Sequence, residues 1–168
     1  MKKLFIIMSI ICVTSINVSQ AQEMEKGMSL FNVGFGFVPG WGINASYDFG
    51  LIDSWGSGIF TIGGYVGYGS WWKRYSISKR RYHIKEIALA FAPRVTYRYS
   101  IEPSFEIFGT LMFGAAVFSY SELFDNMNKS YFATTAGCRY SFSSNFAAFV
   151  EIGYSETSFM NVGLCFSF

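Results

Sequence analysis

From Met160 to Phe168 the chain reads Met-Asn-Val-Gly-Leu-Cys-Phe-Ser-Phe, with an apolar residue at every even position and a small or polar one at every odd position. A period of two marks a strand with one greasy face. The same cadence recurs from Met28 onward, interrupted only by turns and two longer polar stretches, so the chain is constrained to a sheet whose strands each have an apolar face. Composition agrees: 17 Gly against 3 Pro, with 19 Phe and 11 Tyr, favours strands and turns over helices. Beyond the amino-terminal region no apolar run reaches the roughly 20 residues that a spanning helix needs, which argues against a helical membrane protein.

Eight alternating segments follow one another. The first, Met28 to Val38, sets Phe31, Val33, Phe35 and Phe37 on the apolar face. The second, Trp41 to Phe49, opposes Trp41, Ile43, Ala45, Tyr47 and Phe49 to Gly42, Asn44, Ser46 and Asp48. Gly58 to Ser70 and Tyr82 to Ser100 are the third and fourth. Pro93 falls on the outer parity of the fourth and removes a ladder donor, which predicts a bulge or kink there. The fifth, Phe105 to Phe118, alternates least cleanly, because Phe108, Met112 and Phe118 share the polar face. Ser130 to Phe142, Phe146 to Tyr154 and the terminal segment complete the set. An even number of strands joined by hairpins predicts an all-β, eight-stranded antiparallel up-and-down transmembrane β-barrel with its apolar face toward lipid.

The first 21 residues read as a signal peptide: Lys2 and Lys3, an apolar run from Leu4 to Val13, and small residues at Ser19-Gln20-Ala21. Residues 22–168 then form one domain. Removing Lys2 and Lys3 leaves 11 bases against 11 acids, so the mature chain is neutral and has no electrostatic case for nucleic acid. Cys138 and Cys165 survive processing on opposite parities, which argues against a disulfide between them.

Rings gather at the strand ends, as they do where a wall meets two water interfaces. Phe31, Phe49, Phe60, Tyr99, Phe105, Phe142, Phe146 and Phe168 give one aromatic per strand at one end. A patchier set, Phe37, Trp41, Tyr68, Trp72, Phe132 and Tyr154, marks the other. Together with the leader and the closing Phe166 and Phe168, this pattern resembles the small bacterial outer-membrane barrels of the outer-membrane protein X and OmpA-barrel type. The resemblance implies a Gram-negative outer-membrane location, lipid and lipopolysaccharide around the wall, and a monomer. It also implies recognition of Phe166 and Phe168 by the barrel-assembly machinery, and a possible surface protein partner. It further places the amino terminus in the periplasm and the two longest connections outside. The chain as read lacks the long protruding strands of the adhesive members.

Two constellations could carry function. Asp48, Glu86, Arg94, Arg98, Glu106, Arg139 and Glu151 all have inward parity, and a barrel of eight strands has an interior just wide enough for side chains to fill. The expectation is a plug of salt bridges, with a proton or narrow ion path as the alternative, and one negative charge left over. The second is a basic aromatic loop containing Trp71, Trp72, Lys73, Arg74, Lys79, Arg80 and Arg81, suited to phosphates and a membrane interface. It reads as lipid-headgroup contact, with specific partner recognition as the alternative.

Lipid A deacylases and palmitoyltransferases are also small outer-membrane barrels. The one histidine, His83, however differs in parity from Glu86 and makes a poor His-acid pair, so no enzyme is expected. No metal-ligand spacing or phosphate-binding glycine loop occurs, and no cofactor is expected.

Overall fold

The computed structural model describes residues 26–37, 39–53, 58–77, 80–120 and 127–168, without side-chain detail for Asp53, residues 74–77, residues 80–83 and Tyr120. The leader segment lies outside the described residues. Eight antiparallel strands run β1 (Ser29–Phe37), β2 (Trp41–Asp53), β3 (Gly58–Ile77), β4 (Arg80–Glu102), β5 (Phe105–Tyr120), β6 (Met127–Ser141), β7 (Phe146–Tyr154) and β8 (Met160–Ser167). Each pairs with its sequence neighbours, and β1 pairs with β8, so the sheet closes into a barrel. At the seam the Ser29 amide donates to the Phe168 carbonyl at 2.9 Å and the Phe168 amide returns a bond to Ser29 at 3.0 Å.

The strand registers fix the width of the barrel. Ser29 lies opposite Phe49, then in turn Ile62, Val95, Leu111, Thr134 and Tyr154. Carried on through β8, the same registers return to β1 at the level of Pro39, ten residues further along. At ~3.3 Å per residue and ~4.8 Å between strands, that shear tilts the strands by about 40° and sets a backbone radius of about 8 Å.

Alternation places Phe31, Val33, Phe35 and Phe37 outside, exposed, and Asn32, Gly34 and Gly36 inside, buried. Phe108, Met112 and Phe118 do face inward and are buried there, so the weak alternation of β5 reflects packing of the lumen. The outward rings touch one another along the end where β1 begins and β8 ends, here the lower end. Tyr140, Phe142, Phe146 and Phe166 make a chain of contacts with centroids 5.3, 5.9 and 5.5 Å apart.

Three features differ from the sequence-based expectation. Pro93 causes no bulge: β3–β4 pairing runs unbroken through Gly64 opposite Pro93, and the β4–β5 register is the same on both sides of it. The missing donor is accommodated where the β4–β5 ladder opens for Ala92 and Pro93. Shifts occur instead at Gly50/Ile52 and Ser100/Glu102, beside lower turns. The basic aromatic stretch is not a loop. β3 and β4 are 20 and 23 residues long against 8 for β8, and from Trp72 opposite Lys85 to Ile77 opposite Arg80 they pair only with each other among the described residues. The chain therefore does have a protruding hairpin, ~20 Å long along the strands.

The third feature is the β7–β8 connection, expected as a simple outer turn. Ser155, Thr157 and Ser158 are instead buried, folded into the upper mouth as a strap. Tyr65 Oη lies 3.0 Å from Thr157 Oγ1 and Tyr131 Oη 2.8 Å from Ser155 Oγ. The strap lies so close to the wall that a Cβ on Gly69 would sit 2.7 Å from the Thr157 carbonyl oxygen, and one on Gly36 2.6 Å from Ser158 Cβ. Gly69→Val is expected to destabilise the barrel by about 1–3 kcal/mol through overpacking. Gly64→Ala, which meets nothing within 4 Å, is expected to be neutral or slightly stabilising. Urea unfolding midpoints in detergent micelles check both.

Candidate functional site

Inward parity brings charges from β2, β4, β5 and β6 into one layer in the lower half of the lumen. Asp48 receives Arg98 Nη2 at 3.0 Å and Arg94 Nε at 3.1 Å, the latter an ion pair outside hydrogen-bond alignment. Glu106 receives Arg139 at 2.7 Å and lies 3.8 Å from Arg98. Neutral groups add hydrogen bonds to these pairs. Asn32 donates to Asp48 and Ser46 at 3.1 and 3.0 Å. Arg94 donates to Ser46 at 2.6 Å and to Thr96 and Thr110 at 3.3 Å each. All these side chains are buried, and at such depth charges persist only when paired and hydrogen-bonded.

Apolar side chains fill the rest of the lumen. Level with the charges lie Leu30, Ile59, Phe108, Ala147, Phe149 and Cys165, with Leu30 opposite Asp48, Phe108 opposite Arg98 and Phe149 opposite Arg139 in the ladders, and the Arg98 guanidinium 5.1 Å from the centre of the Phe108 ring. Above lie Tyr65, Tyr131, Met112, Phe118, Trp71 and a run of alanines, with Tyr65 and Tyr131 stacked at 6.0 Å. Between them is a cavity of about 10 Å³, bordered by Asn44, Arg94, Arg98, Arg139 and Glu151 among others. That is close to the smallest space one water occupies.

At the upper mouth Glu86 accepts from Trp71 Nε1 at 2.8 Å, and Lys73 Nζ lies 3.8 Å away. Trp71 was expected at the lipid interface with Trp72. It is buried instead, packed edge-on to Phe118 at 6.4 Å, whereas Trp72 is exposed. The parity of β3 carried the signal, since Trp71 shares its face with Tyr65, Gly67 and Gly69. Sequence reasoning also missed Lys73 as a partner for Glu86. Among the sequence-predicted residues of that stretch, Arg74, Arg80 and Arg81 lie on paired backbone. Their side chains and Lys79 fall outside the described residues.

Phe166 and Phe168 are exposed on the outer wall at the lower end, Phe168 6.4 Å from Tyr47. Glu156, on the strap, is pushed above the usual carboxylate range by burial, an effect opposed by Lys129. No group of three His, Cys, Asp or Glu side chains suited to a metal lies together among the described residues.

Neither a protein-family model nor a curated protein sequence matches the chain. Among solved structures, the N-terminal β-barrel domain of Pseudomonas aeruginosa OprF superposes with a TM-score of 0.55 at 14% identity, over 86% of this chain and 100% of that one. The chain has the fold of a small bacterial outer-membrane barrel. A de novo designed transmembrane β-barrel agrees, with a TM-score of 0.52 at 15% identity over 88% of this chain and 100% of that one. On a barrel of this fold, outward rows of Phe, Ile, Leu and Val suit contact with lipid, where contiguous apolar surface carries no penalty.

In this barrel the luminal pairs are a stability element. Glu106→Leu, which leaves Arg139 without its carboxylate, is expected to cost about 3–5 kcal/mol, and Glu106→Leu with Arg139→Met to recover much of it. Equilibrium unfolding of both variants in micelles measures the difference.

Proposed function

We propose that the protein is a closed-lumen, non-enzymatic outer-membrane barrel whose function lies at its upper end, where the β3–β4 hairpin meets phosphate-bearing surface groups, lipopolysaccharide foremost. The observation that carries this reading is the hairpin: it extends past the wall, and residues 71–85 contain six bases and no acid. Arg and Lys beside indole and phenol rings suit lipid phosphates at an interface. The upper end is taken as extracellular because the long hairpin lies there, while β1 begins and β8 ends at the other end.

Filled layers and a one-water cavity support a lumen that does not conduct. An enzymatic reading has little to stand on, because Glu86 turns into the lumen with Trp71 and Lys73 while His83 pairs along the backbone with Arg74.

Replacing Arg74, Lys79, Arg80 and Arg81 by Gln, while keeping Lys73 for Glu86, is expected to weaken binding to lipid A vesicles by on the order of a hundredfold or more, at ~1 kcal/mol per basic group near an anionic surface. The loss should shrink as salt rises. Unchanged binding in a flotation assay would remove the hairpin from the proposal. Planar bilayer recordings are expected to show no steady open level, and a stable single-channel conductance would overturn the closed lumen.

A further inference from the structure

We infer that the luminal cavity beside Glu151 is a water-binding site, in which one ordered water joins the Glu151 carboxylate to the guanidinium groups around it. Glu151 lies on the inward face of β7 and is 6% exposed. It makes no hydrogen bond or ion pair among the described residues. A bare carboxylate at that depth is costly unless something donates to it. Glu151 borders the cavity of about 10 Å³ together with Arg94, Arg98 and Arg139, and the Nε–H groups of Arg98 and Arg139 have no acceptor.

The occupant must therefore donate to a carboxylate and accept from guanidinium N–H groups within the volume of a single small molecule. Water does both. Charge counting disfavours an ion. In this layer Asp48, Glu106 and Glu151 balance Arg94, Arg98 and Arg139, while Glu86 has Lys73 at the mouth. A cation would face three guanidinium groups and an anion the unshared carboxylate. A polar seam reaches upward from the cavity, since Asn44 donates to Asn161 Oδ1 at 2.9 Å and Ser158 of the strap to the same oxygen at 2.7 Å. The inference stands whether or not the hairpin binds lipid.

The test is a crystal structure of the detergent-extracted protein grown in rubidium bromide, so that either ion would scatter anomalously. The expected result is a density peak within hydrogen-bond distance of a Glu151 oxygen and of a guanidinium nitrogen, without anomalous signal. It should persist in Glu151→Gln, whose amide still bonds water, and vanish in Glu151→Leu. A rubidium or bromide signal at the site, a direct Glu151–Arg ion pair in place of the peak, no peak, or a peak retained in Glu151→Leu would each overturn the inference. Should Glu151→Leu fail to fold, the wild-type and Glu151→Gln maps decide alone.

Discussion

Within lipid every backbone N–H and C=O must find its partner in the chain itself, and here the β1–β8 seam meets that requirement for the last open edges. Much of the rest is set by how the seam closes. A shear of ten over eight strands leaves an interior too narrow for a channel once the inward side chains are in place. Charges on the inward parity are then forced within reach of one another. Asp48 on β2 reaches Arg94 and Arg98 on β4 across the bare inward position of Gly63 on β3, and Arg98 carries the network on to Glu106 on the adjacent β5 and Arg139 on β6.

Closure does not require strands of equal height. β7, β8 and β1 are short, and the wall they form is low. The strap at Ser155–Ser158 folds inward over that low side, held by hydroxyls of Tyr65 and Tyr131 and admitted by the bare backbone of Gly36 and Gly69. On the opposite side β3 and β4 continue upward as a two-stranded ribbon. The molecule is thus capped on one side and raised on the other, and its surface features concentrate on the raised side.

Within the lipid band the sequence was highly legible, because apolar and small residues must alternate wherever one face meets lipid and the other a packed lumen. Phe31 through Phe37 and Phe146 through Tyr154 needed nothing more. Legibility failed where the solvent changed. Above the band both faces of the β3–β4 ribbon lie outside lipid, so alternation lapses and Trp71 through Arg81 reads as a polar loop although Trp71 to Ile77 and Arg80 to Arg81 have paired backbone. Parity outlasts alternation: Trp71 and Lys73 share the inward face of Tyr65, and that alone would have moved both toward Glu86. With Lys73 included, the surplus negative charge read from seven inward residues disappears. Pro93 misled in the opposite sense, because a missing donor disturbs a ladder only locally when its neighbours hold the register.

Beyond the expected leader the bases and acids balance, which hides a separation along the barrel axis. Luminal charges balance in number, all but Glu151 in direct ion pairs, so their fields largely cancel. What remains is sorted by the connection it belongs to. Among the described residues, Arg74, Arg80, Arg81, Lys85 and Lys129 belong to the upper end against Glu156, while Asp53 and Glu102, against Lys26, belong to the lower end. The described part of the upper end therefore has more bases than acids. An unbalanced charge at one end of a neutral barrel orients it toward an anionic layer over about a Debye length, ~8 Å at physiological salt. On the reading proposed above, a ribbon that runs ~20 Å along its strands beyond the wall would carry its cations into that layer instead of beneath it. This links the shape of the hairpin to its composition: length without charge would gain no hold on phosphates, and the same cations held within the lumen would be neutralised by the acids there.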